Sequence, residues 1–346
     1  MQLSILHTSR QHVVESCRQS GRNLSAVVPE LSVTTPTYHR PDDLVRALRS
    51  VADDAGAEAS HVELVISDNS TDARSEHAIR PILNEWQGSS TYVRHEPSLG
   101  KIANQNTCVE MANGRWVLIL HDDDYLLPGA VHRILESIWQ ADSVERVLLF
   151  GVHVVDERGS RWRHQRFMRR RRLAPEDALR RLLSGSSFVR MPAICVRRDA
   201  YGEIGTFDGT IVNANDYDMW IRLFARYGVT TVPSTISAYV IHSQAASESM
   251  FDADGIEQIH ELYRRAADTG LLSPAELRRR KRTFTHQFIL AGCFRRLRRR
   301  DWHAARNVIE LFNLPGVAEL GWSLRWAPVR LVFTAVTAVS APASKS

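Results

Sequence analysis

The sequence predicts an α/β protein with a doubly wound, mostly parallel mixed sheet, helices on both faces of that sheet, and a helical C-terminal extension. From residue 31 onward, short β-rich runs alternate with amphipathic helical runs, the pattern of parallel strands joined by right-handed crossovers. The chain has 346 residues of which 44% are hydrophobic, enough for a large core and more than one domain. Beyond about residue 252 the pattern is helical and strongly basic.

Short apolar runs, and the residues that end them, predict the first half of the sheet. The first strand, residues 31–35, ends at Pro36, and Asp42 or Asp43 can cap the helix that follows. The other predicted elements of this half are strands at 62–66, 91–93 and 116–120 and helices through 79–83 and 102–111.

In the second half of the predicted sheet, strands and helices alternate less regularly. The change to an all-helical pattern after it sets the predicted division of the chain. Residues 161–172 are predicted as a basic loop, and the later elements are helices at 175–183 and 216–227 and strands at 193–196, 229–232 and 236–240. Helices at 256–267, 274–300 and 302–312 form the C-terminal module, closed by Pro315 and Gly316. The predicted units are an extension at 1–30, a main domain at 31–252 with halves at 31–127 and 128–252, and a basic helical region at 253–346.

Charge and cysteine content restrict the class of protein. The net charge is +5, and the excess lies in basic runs at 169–172, 278–282 and 295–300. Such runs attract phosphates or anionic lipid, but no aromatic residues interrupt them for base stacking, so we expect no nucleic-acid partner. The four cysteines form no Cys-x-x-Cys pair, which indicates a reducing compartment. The start lacks a secretory signal and the apolar run 331–341 is too short to cross a bilayer, so the sequence predicts a cytoplasmic protein.

The strongest candidate site follows the buried strand at 116–120, where His121 is followed by three aspartates, Asp122, Asp123 and Asp124. Adjacent carboxylates repel one another unless a cation binds between them. Ligands of open α/β sheets bind at this carboxyl edge, and hard oxygen ligands suit Mn²⁺ or Mg²⁺. The alternative is a polar turn in which an aspartate caps the helix near Pro128.

Four segments together resemble those of the inverting glycosyltransferases of family 2, which have the GT-A fold. They are residues 36–41, 68–72, 121–124 and 213–220, and the resemblance covers about residues 31–249. It implies a donor that is a nucleotide diphosphate sugar, with UDP, dTDP or GDP as nucleotide, a hydroxyl acceptor, and Mn²⁺ or Mg²⁺ as cofactor. The residues that it implies for donor binding are Pro36, Thr37, Arg40, Asp68, Lys101, Asn106 and Asp122.

The resemblance also implies which residues bind the metal and which residue acts as the catalytic base. Asp123 is the implied metal ligand, with His242 as a second candidate, and Asp216 is the implied catalytic base that takes the acceptor proton. The chain departs from the family pattern at His121, Asn69 and Asn215, each of which stands where an acid is usual. Structural alternatives remain for these segments: an Asx turn at residues 68–70, an N-cap at Asp216 and a structural histidine at 242.

Three functions remain open from the sequence. A metal-dependent inverting transferase of cell-surface polysaccharide or glycoconjugate synthesis is the first. A nucleotidyltransferase on sugar phosphates is the second, although residues 36–40 lack its glycine-rich phosphate loop. A non-catalytic sugar-nucleotide-binding scaffold is the third. The basic C-terminal helices either dock on anionic lipid at the inner face of the membrane, beside a lipid-linked acceptor, or pack as a helical hairpin.

Overall fold

A computed structural model describes residues 28–185, 187–241 and 250–339. Within them, one ten-stranded mixed sheet has the strand order β3-β2-β1-β4-β9-β6-β10-β5, with β7 paired to β6 and β8 paired to β10. The strands are β1 (Leu31–Thr37), β2 (Val62–Asp68), β3 (Ser89–Arg94), β4 (Trp116–Ile119), β5 (Tyr125–Leu126), β6 (Val147–Asp156), β7 (Arg161–Gln165), β8 (Arg171–Leu173), β9 (Ile194–Arg197) and β10 (Val229–Ile241).

The helices cover both faces of the sheet and continue beyond it. Those between strands are α1 (Pro41–Ala55), α2 (Arg74–Glu85), α3 (Lys101–Met111), α4 (Ala130–Trp139), α5 (Pro175–Leu182), α6 (Arg198–Ile204) and α7 (Asn215–Tyr227). Those after the last strand are α8 (Ala253–Asp268), α9 (Pro274–Arg298), α10 (Trp302–Glu310), α11 (Pro315–Ala318) and α12 (Ala327–Val339). Short 3₁₀ turns lie at Gly56–His61, Met191–Ala193 and Leu311–Asn313.

The first half of the sheet is parallel, as the sequence predicts. β1 pairs with β2 on one side and β4 on the other, and β2 pairs with β3, all in parallel. β2 and β4 are buried along their whole length because helices cover both faces, which explains why they read as continuous apolar runs. Parallel pairing brings the carboxyl ends of β1, β2 and β4 to one edge of the sheet.

The second half departs from the prediction in two places. The strands predicted at 229–232 and 236–240 are one strand, β10, which runs parallel to β6 with register shifts on either side of Thr235. Pro233 breaks the local pattern but is accommodated at this irregularity, where no ladder hydrogen bond is required of it. The predicted basic loop at 161–172 contains β7 and β8, because β6 extends past β9 and leaves an edge for β7 to pair with.

Helix starts also differ from the predicted caps. α1 begins at Pro41 after Arg40 without a side-chain cap, so Asp42 and Asp43 lie in its first turn. α4 begins after Gly129, and no aspartate of the acidic cluster caps it. Its first amides are instead bound by the carboxylate of Asp54 in α1, which accepts hydrogen bonds from Gly129 N and Val131 N.

The C-terminal helices pack on the sheet through a shared hydrophobic cluster. The cluster joins side chains of β9 and α7, such as Phe224, to side chains of α8, α9 and α10, such as Tyr263, Ile289 and Val308. The helical region does not close at Pro315 and Gly316 but continues through α11 and α12. The division into units at 31–252 and 253–346 stays a prediction. Over the described residues, no helix is long and apolar enough to cross a membrane.

Candidate active site at the carboxyl edge of the sheet

The ends of β1, β2 and β4 bring three of the four predicted segments together. Thr37 is opposite Asp68 in the β1–β2 register. Leu120, which precedes the acidic cluster, donates its N–H to the Thr34 carbonyl of β1 at 2.9 Å. The acidic cluster therefore leaves the sheet on one side of β1 and Asp68 leaves it on the other.

Side chains of the first loop hold two of the aspartates directly. Thr37 Oγ1 donates a hydrogen bond of 2.8 Å to Asp122 Oδ2. Arg40 Nη1 lies 3.1 Å from Asp123 Oδ2 and 3.6 Å from Asp122 Oδ1. These contacts place Thr37 and Arg40 in the same site as Asp122 and Asp123, and they offset part of the repulsion among the carboxylates.

Burial and mutual repulsion both oppose ionisation of the acidic cluster. Burial, followed by the charge of Asp123, raises the pKa of Asp122 to about 7, although Thr37 and Arg40 act in the opposite direction. The pKa of the buried Asp124 is also raised, first by burial and then by Asp123. Carboxylates held against their preferred ionisation are the physical signature of a site that a cation would stabilise.

Three side chains of the cluster have the geometry of a metal site. One ligand atom from each of His121, Asp123 and Asp124 lies within 4.8 Å of the other two. Burial lowers the pKa of His121, which favours the neutral imidazole that binds metals. Asp124 Oδ1 accepts a hydrogen bond from Val240 N at 2.9 Å, whereas its buried Oδ2 has no hydrogen-bond partner among the described residues. The donor set therefore fits a divalent cation that prefers oxygen and imidazole ligands.

Asp68 is fully buried and both of its oxygens have partners. Ser70 N donates to Oδ1 at 2.7 Å, which is the predicted Asx turn, and Tyr92 OH donates to Oδ2 at 2.8 Å. Burial and the Asp68 charge raise the pKa of Tyr92, so the phenol stays a donor. These bonds fix the orientation of the Asp68 carboxylate, and a carboxylate oxygen retains lone pairs for a further donor.

Asn69, one of the departures from the family pattern, has a structural role that the sequence did not reveal. Its Nδ2 donates to the Gly100 carbonyl at 3.0 Å, and its Oδ1 accepts from Leu99 N at 3.1 Å. The amide thus ties the end of β2 to the start of α3, where the exposed Lys101 lies. A carboxylate could still accept the bond from Leu99 N, but it has no N–H to donate to the Gly100 carbonyl.

We expect Asn69→Asp to destabilise the fold rather than improve donor binding. The acid would face the Gly100 carbonyl without a donor in a buried position, at a cost of about 1 to 3 kcal/mol. Urea unfolding measures the change, with Asn84→Asp on the exposed face of α2 as the matched control. An Asn69→Asp protein as stable as the wild type would contradict this role.

Asn106 and Lys101 border a cavity of about 380 Å³ beside the start of α3. Asn106 itself is engaged by the backbone of Phe207: its Nδ2 donates to the carbonyl at 2.9 Å, and its Oδ1 accepts from the N–H at 2.8 Å. Gly209 and Val212 line the opposite wall of the cavity. Asn106 therefore shapes this cavity by holding the loop before α7, and donor contact by Asn106 and Lys101 stays a prediction.

The fourth segment supplies two acids with opposite environments. Asp218 is fully buried and bound by Arg222 and by Arg265 of α8, each at 2.8 Å. Asp216 is the second residue of α7 and not its N-cap, which is Ala214. Its Oδ1 is buried and has no hydrogen-bond partner among the described residues. Of the two acids, Asp216 is the one left available for chemistry.

Asp216 lies close enough to the acidic cluster for their charges to act on shared neighbours. The charges of Asp123 and Asp216 both raise the pKa of His121, against the larger effect of burial. They also both contribute to the raised pKa of Tyr239 in β10, again after burial. The fourth segment therefore shares the site with the third.

The sequence missed two residues of this site. The Arg190 guanidinium lies over the Tyr239 ring, 4.9 Å from its centroid, and the charge of Arg190 acts on both Tyr239 and Tyr217. No motif signals them, because Arg190 precedes β9 while Tyr239 lies near the end of β10. His242, the second metal candidate, lies outside the described residues.

The mixed, mostly parallel sheet with an acidic cluster at its carboxyl edge has the GT-A fold. A family model described as Glycosyl transferase family 2 matches residues 32–205, about half of the chain. The chain is also 32% identical over 235 residues to an uncharacterized protein of Mycobacterium tuberculosis, MT1568, over 64% of this chain and 69% of that protein. The chain belongs to glycosyltransferase family 2 and is a glycosyltransferase.

Solved structures agree on the fold. TarS residues 1–349 from S. aureus in complex with UDP has a TM-score of 0.55 and 17% identity, over 88% of this chain and 87% of that one. The chain spans 49% of a longer TarS structure. The mannosyltransferase PcManGT from Pyrobaculum calidifontis, in complex with GDP-Man and Mn²⁺, has a TM-score of 0.52 and 15% identity. The match covers 92% of this chain and 89% of that one. The family match ends before Asp216, so it assigns no role to α7.

Proposed function

We propose that the protein is a metal-dependent, inverting glycosyltransferase that moves a sugar from a nucleotide diphosphate sugar to an acceptor hydroxyl. The observation that carries the proposal is the neighbourhood of two acidic groups with different environments. One is the set of His121, Asp123 and Asp124, which suits a cation. The other is Asp216, whose buried Oδ1 has no hydrogen-bond partner in the described part of the chain. TarS with UDP and PcManGT with GDP-Man and Mn²⁺ support a nucleotide sugar and a divalent ion as the ligands.

Donor binding is assigned to the loop after β1 and the end of β2. Asp68, oriented by Ser70 N and Tyr92, accepts hydrogen bonds from the base or ribose of the nucleotide. Pro36 and Thr37 line the same end of β1, and Thr37 orients Asp122 toward the ribose or the metal. Arg40 supplies a positive charge beside Asp123 that suits the diphosphate.

The metal site is assigned to Asp123, together with His121 and Asp124. A divalent ion bound there would neutralise the charge that develops on the departing nucleoside diphosphate. Arg40 and Lys101 add fixed positive charge on the nucleotide side of the cluster. His242 stays a candidate fourth ligand from the sequence.

The base is assigned to Asp216. Its Oδ1 accepts the proton of the acceptor hydroxyl as that hydroxyl attacks the anomeric carbon on the face opposite the leaving diphosphate, which inverts the configuration. We assign Arg190, which lies over the Tyr239 ring, to the acceptor side of the site.

We assign the acceptor to a lipid-linked or cell-surface glycan that the protein meets at the cytoplasmic face of a membrane. The scattered cysteines fit a reducing compartment, and Cys108, Cys195 and Cys293 are buried free thiols. The basic runs suit an anionic surface. The assignment therefore rests on charge and composition.

A donor panel tests the reaction class. UDP-, dTDP- and GDP-sugars are incubated with the protein, Mn²⁺ and a candidate lipid-linked acceptor, and the released nucleotide is measured. We expect donors with one of the three nucleotides to release nucleoside diphosphate. NMR of the product should show an anomeric configuration inverted relative to the donor. Release of pyrophosphate would indicate nucleotidyl transfer instead, and a product of retained configuration would refute inversion.

A further inference from the structure

Two basic segments that are far apart in the sequence meet on one surface. The Arg298 guanidinium at the end of α9 lies over the ring of Trp162 in β7, 5.0 Å from its centroid. One helical turn earlier on α9, the Phe294 ring stacks on Phe333 of α12 with a centroid distance of 6.4 Å. Residues four apart lie on the same helix face, so β7, α9 and α12 are side by side. We call this surface, formed by β7, the loop to β8, the end of α9 and α12, the basic–apolar face.

The β7 part of this face carries positive charge that is largely unpaired among the residues that the structure describes. Residues 158–172 include eight arginines and no acidic residue. Only Arg170 of these has an ion pair among the described residues, with Glu145 at 2.7 Å. The exposed arginines of β7, β8 and the loop between them are Arg161, Arg163, Arg166, Arg169, Arg171 and Arg172.

The α12 part of the same face exposes apolar side chains to water. Leu331 is 60% exposed and Val332 is 57% exposed, and Leu324 just before the helix is 90% exposed. Arg330, the one charged residue of α12, is turned inward, 4.0 Å from the Phe312 ring centroid and 4.3 Å from that of Trp322. An apolar helix surface of this kind is unfavourable in water unless another phase or molecule covers it.

The face begins near the active site. Arg161 is opposite Val155 in the β6–β7 register, and Val155 is opposite Val240 in the β6–β10 register. Val240 donates its N–H to Asp124. Arg161 is therefore two strand spacings, about 10 Å, from Val240, the residue that binds Asp124 of the acidic cluster. A surface that covers the face therefore lies near the acidic cluster.

We propose that the basic–apolar face docks on an anionic lipid surface. Exposed arginines attract the lipid phosphates, Trp162 is 56% exposed among them as an interfacial anchor, and the apolar side of α12 inserts at the boundary of the acyl chains. The combination distinguishes a lipid surface from a purely charged ligand, which would not cover α12. This inference deepens the proposed function by presenting a membrane-held acceptor to Asp216, but docking itself requires no turnover.

Vesicle flotation tests the proposal on the full-length protein. Vesicles of phosphatidylcholine alone are compared with vesicles that also contain phosphatidylglycerol, at low and high salt. We expect flotation with the anionic vesicles at low salt only. For Arg161→Gln/Arg163→Gln we expect a partition coefficient about 30-fold lower, equivalent to two arginines at about 1 kcal/mol each. For Leu331→Ser/Val332→Ser we expect a loss of about tenfold or more.

The controls separate docking from folding and from catalysis. Arg80→Gln/Arg226→Gln removes two exposed arginines elsewhere and should float like the wild type. Binding of UDP or GDP in solution should be equal in all variants, so a failed donor panel and a failed flotation are distinguishable. A protein that stays soluble on anionic vesicles overturns the proposal. So does a solution dimer that Leu331→Ser/Val332→Ser converts to monomers, because a second copy would then cover α12.

Discussion

Replacing Asp216 by asparagine should reduce sugar transfer by about 10²- to 10⁴-fold while leaving donor binding unchanged. The amide keeps the shape of the side chain but cannot accept the acceptor proton. Because Asp216 Oδ1 has no hydrogen-bond partner among the described residues, the substitution breaks no bond of that oxygen. Transfer is measured as released nucleoside diphosphate under saturating donor, and donor binding by calorimetry.

The neighbouring Asp218 provides the matched control for this result. Asp218→Asn removes the buried partner of Arg222 and Arg265, and we expect a loss of about 2 to 4 kcal/mol in the free energy of unfolding. Asp216→Asn should unfold like the wild type. The two acids are only two positions apart in α7, but their partners differ. Asp216→Asn should therefore lower the transfer rate, whereas Asp218→Asn should lower the stability. Wild-type turnover by Asp216→Asn would refute the base assignment.

Chelation should abolish transfer, and Mn²⁺ should restore it. The same ion should stabilise the protein against heat, by about 2.7 kcal/mol at a hundredfold excess over its Kd. We expect Asp123→Asn to lose both effects, since it removes a carboxylate from the three-residue ligand set. Calorimetric scans with and without Mn²⁺ measure the stabilisation independently of activity.

The stability of the Asp123→Asn protein without metal is a second measurement, and here we expect no loss relative to the wild type. The Asp123 charge contributes to the raised pKa values of both Asp122 and Asp124, so its removal relieves repulsion. Asparagine retains an oxygen that can accept from Arg40. We therefore expect the metal-free variant to be at least as stable as the metal-free wild type. Asp53→Asn, an exposed acid of α1, is the control and should keep the full Mn²⁺ effect. An unchanged Mn²⁺ effect in Asp123→Asn would contradict the metal assignment.

The nucleotide-binding side of the fold was accessible to sequence reasoning because its signals are local. The strands ending at Thr37, Asp68 and Ile119 are continuous apolar or β-branched runs with clear stops, and parallel pairing carries their ends to one edge. The second half depends more on long-range pairing. Residues 229–232 and 236–240 have the local pattern of two strands, and only pairing with β6 over both segments makes them the single strand β10.

Apolar periodicity and strand ends depend on neighbours in the chain, so the amino-acid sequence was enough to predict the fold class, the family resemblance and the order of the acidic segments. Tertiary structure decided which of the two acids of α7 remains available as a base. Arg265, 47 positions away in the chain, binds Asp218 and does not bind Asp216. Tertiary structure also decided that Arg298 meets Trp162 and that Asn69 binds the start of α3. These facts depend on contacts between segments distant in the chain, and such contacts are fixed only when the sheet and its helices pack together.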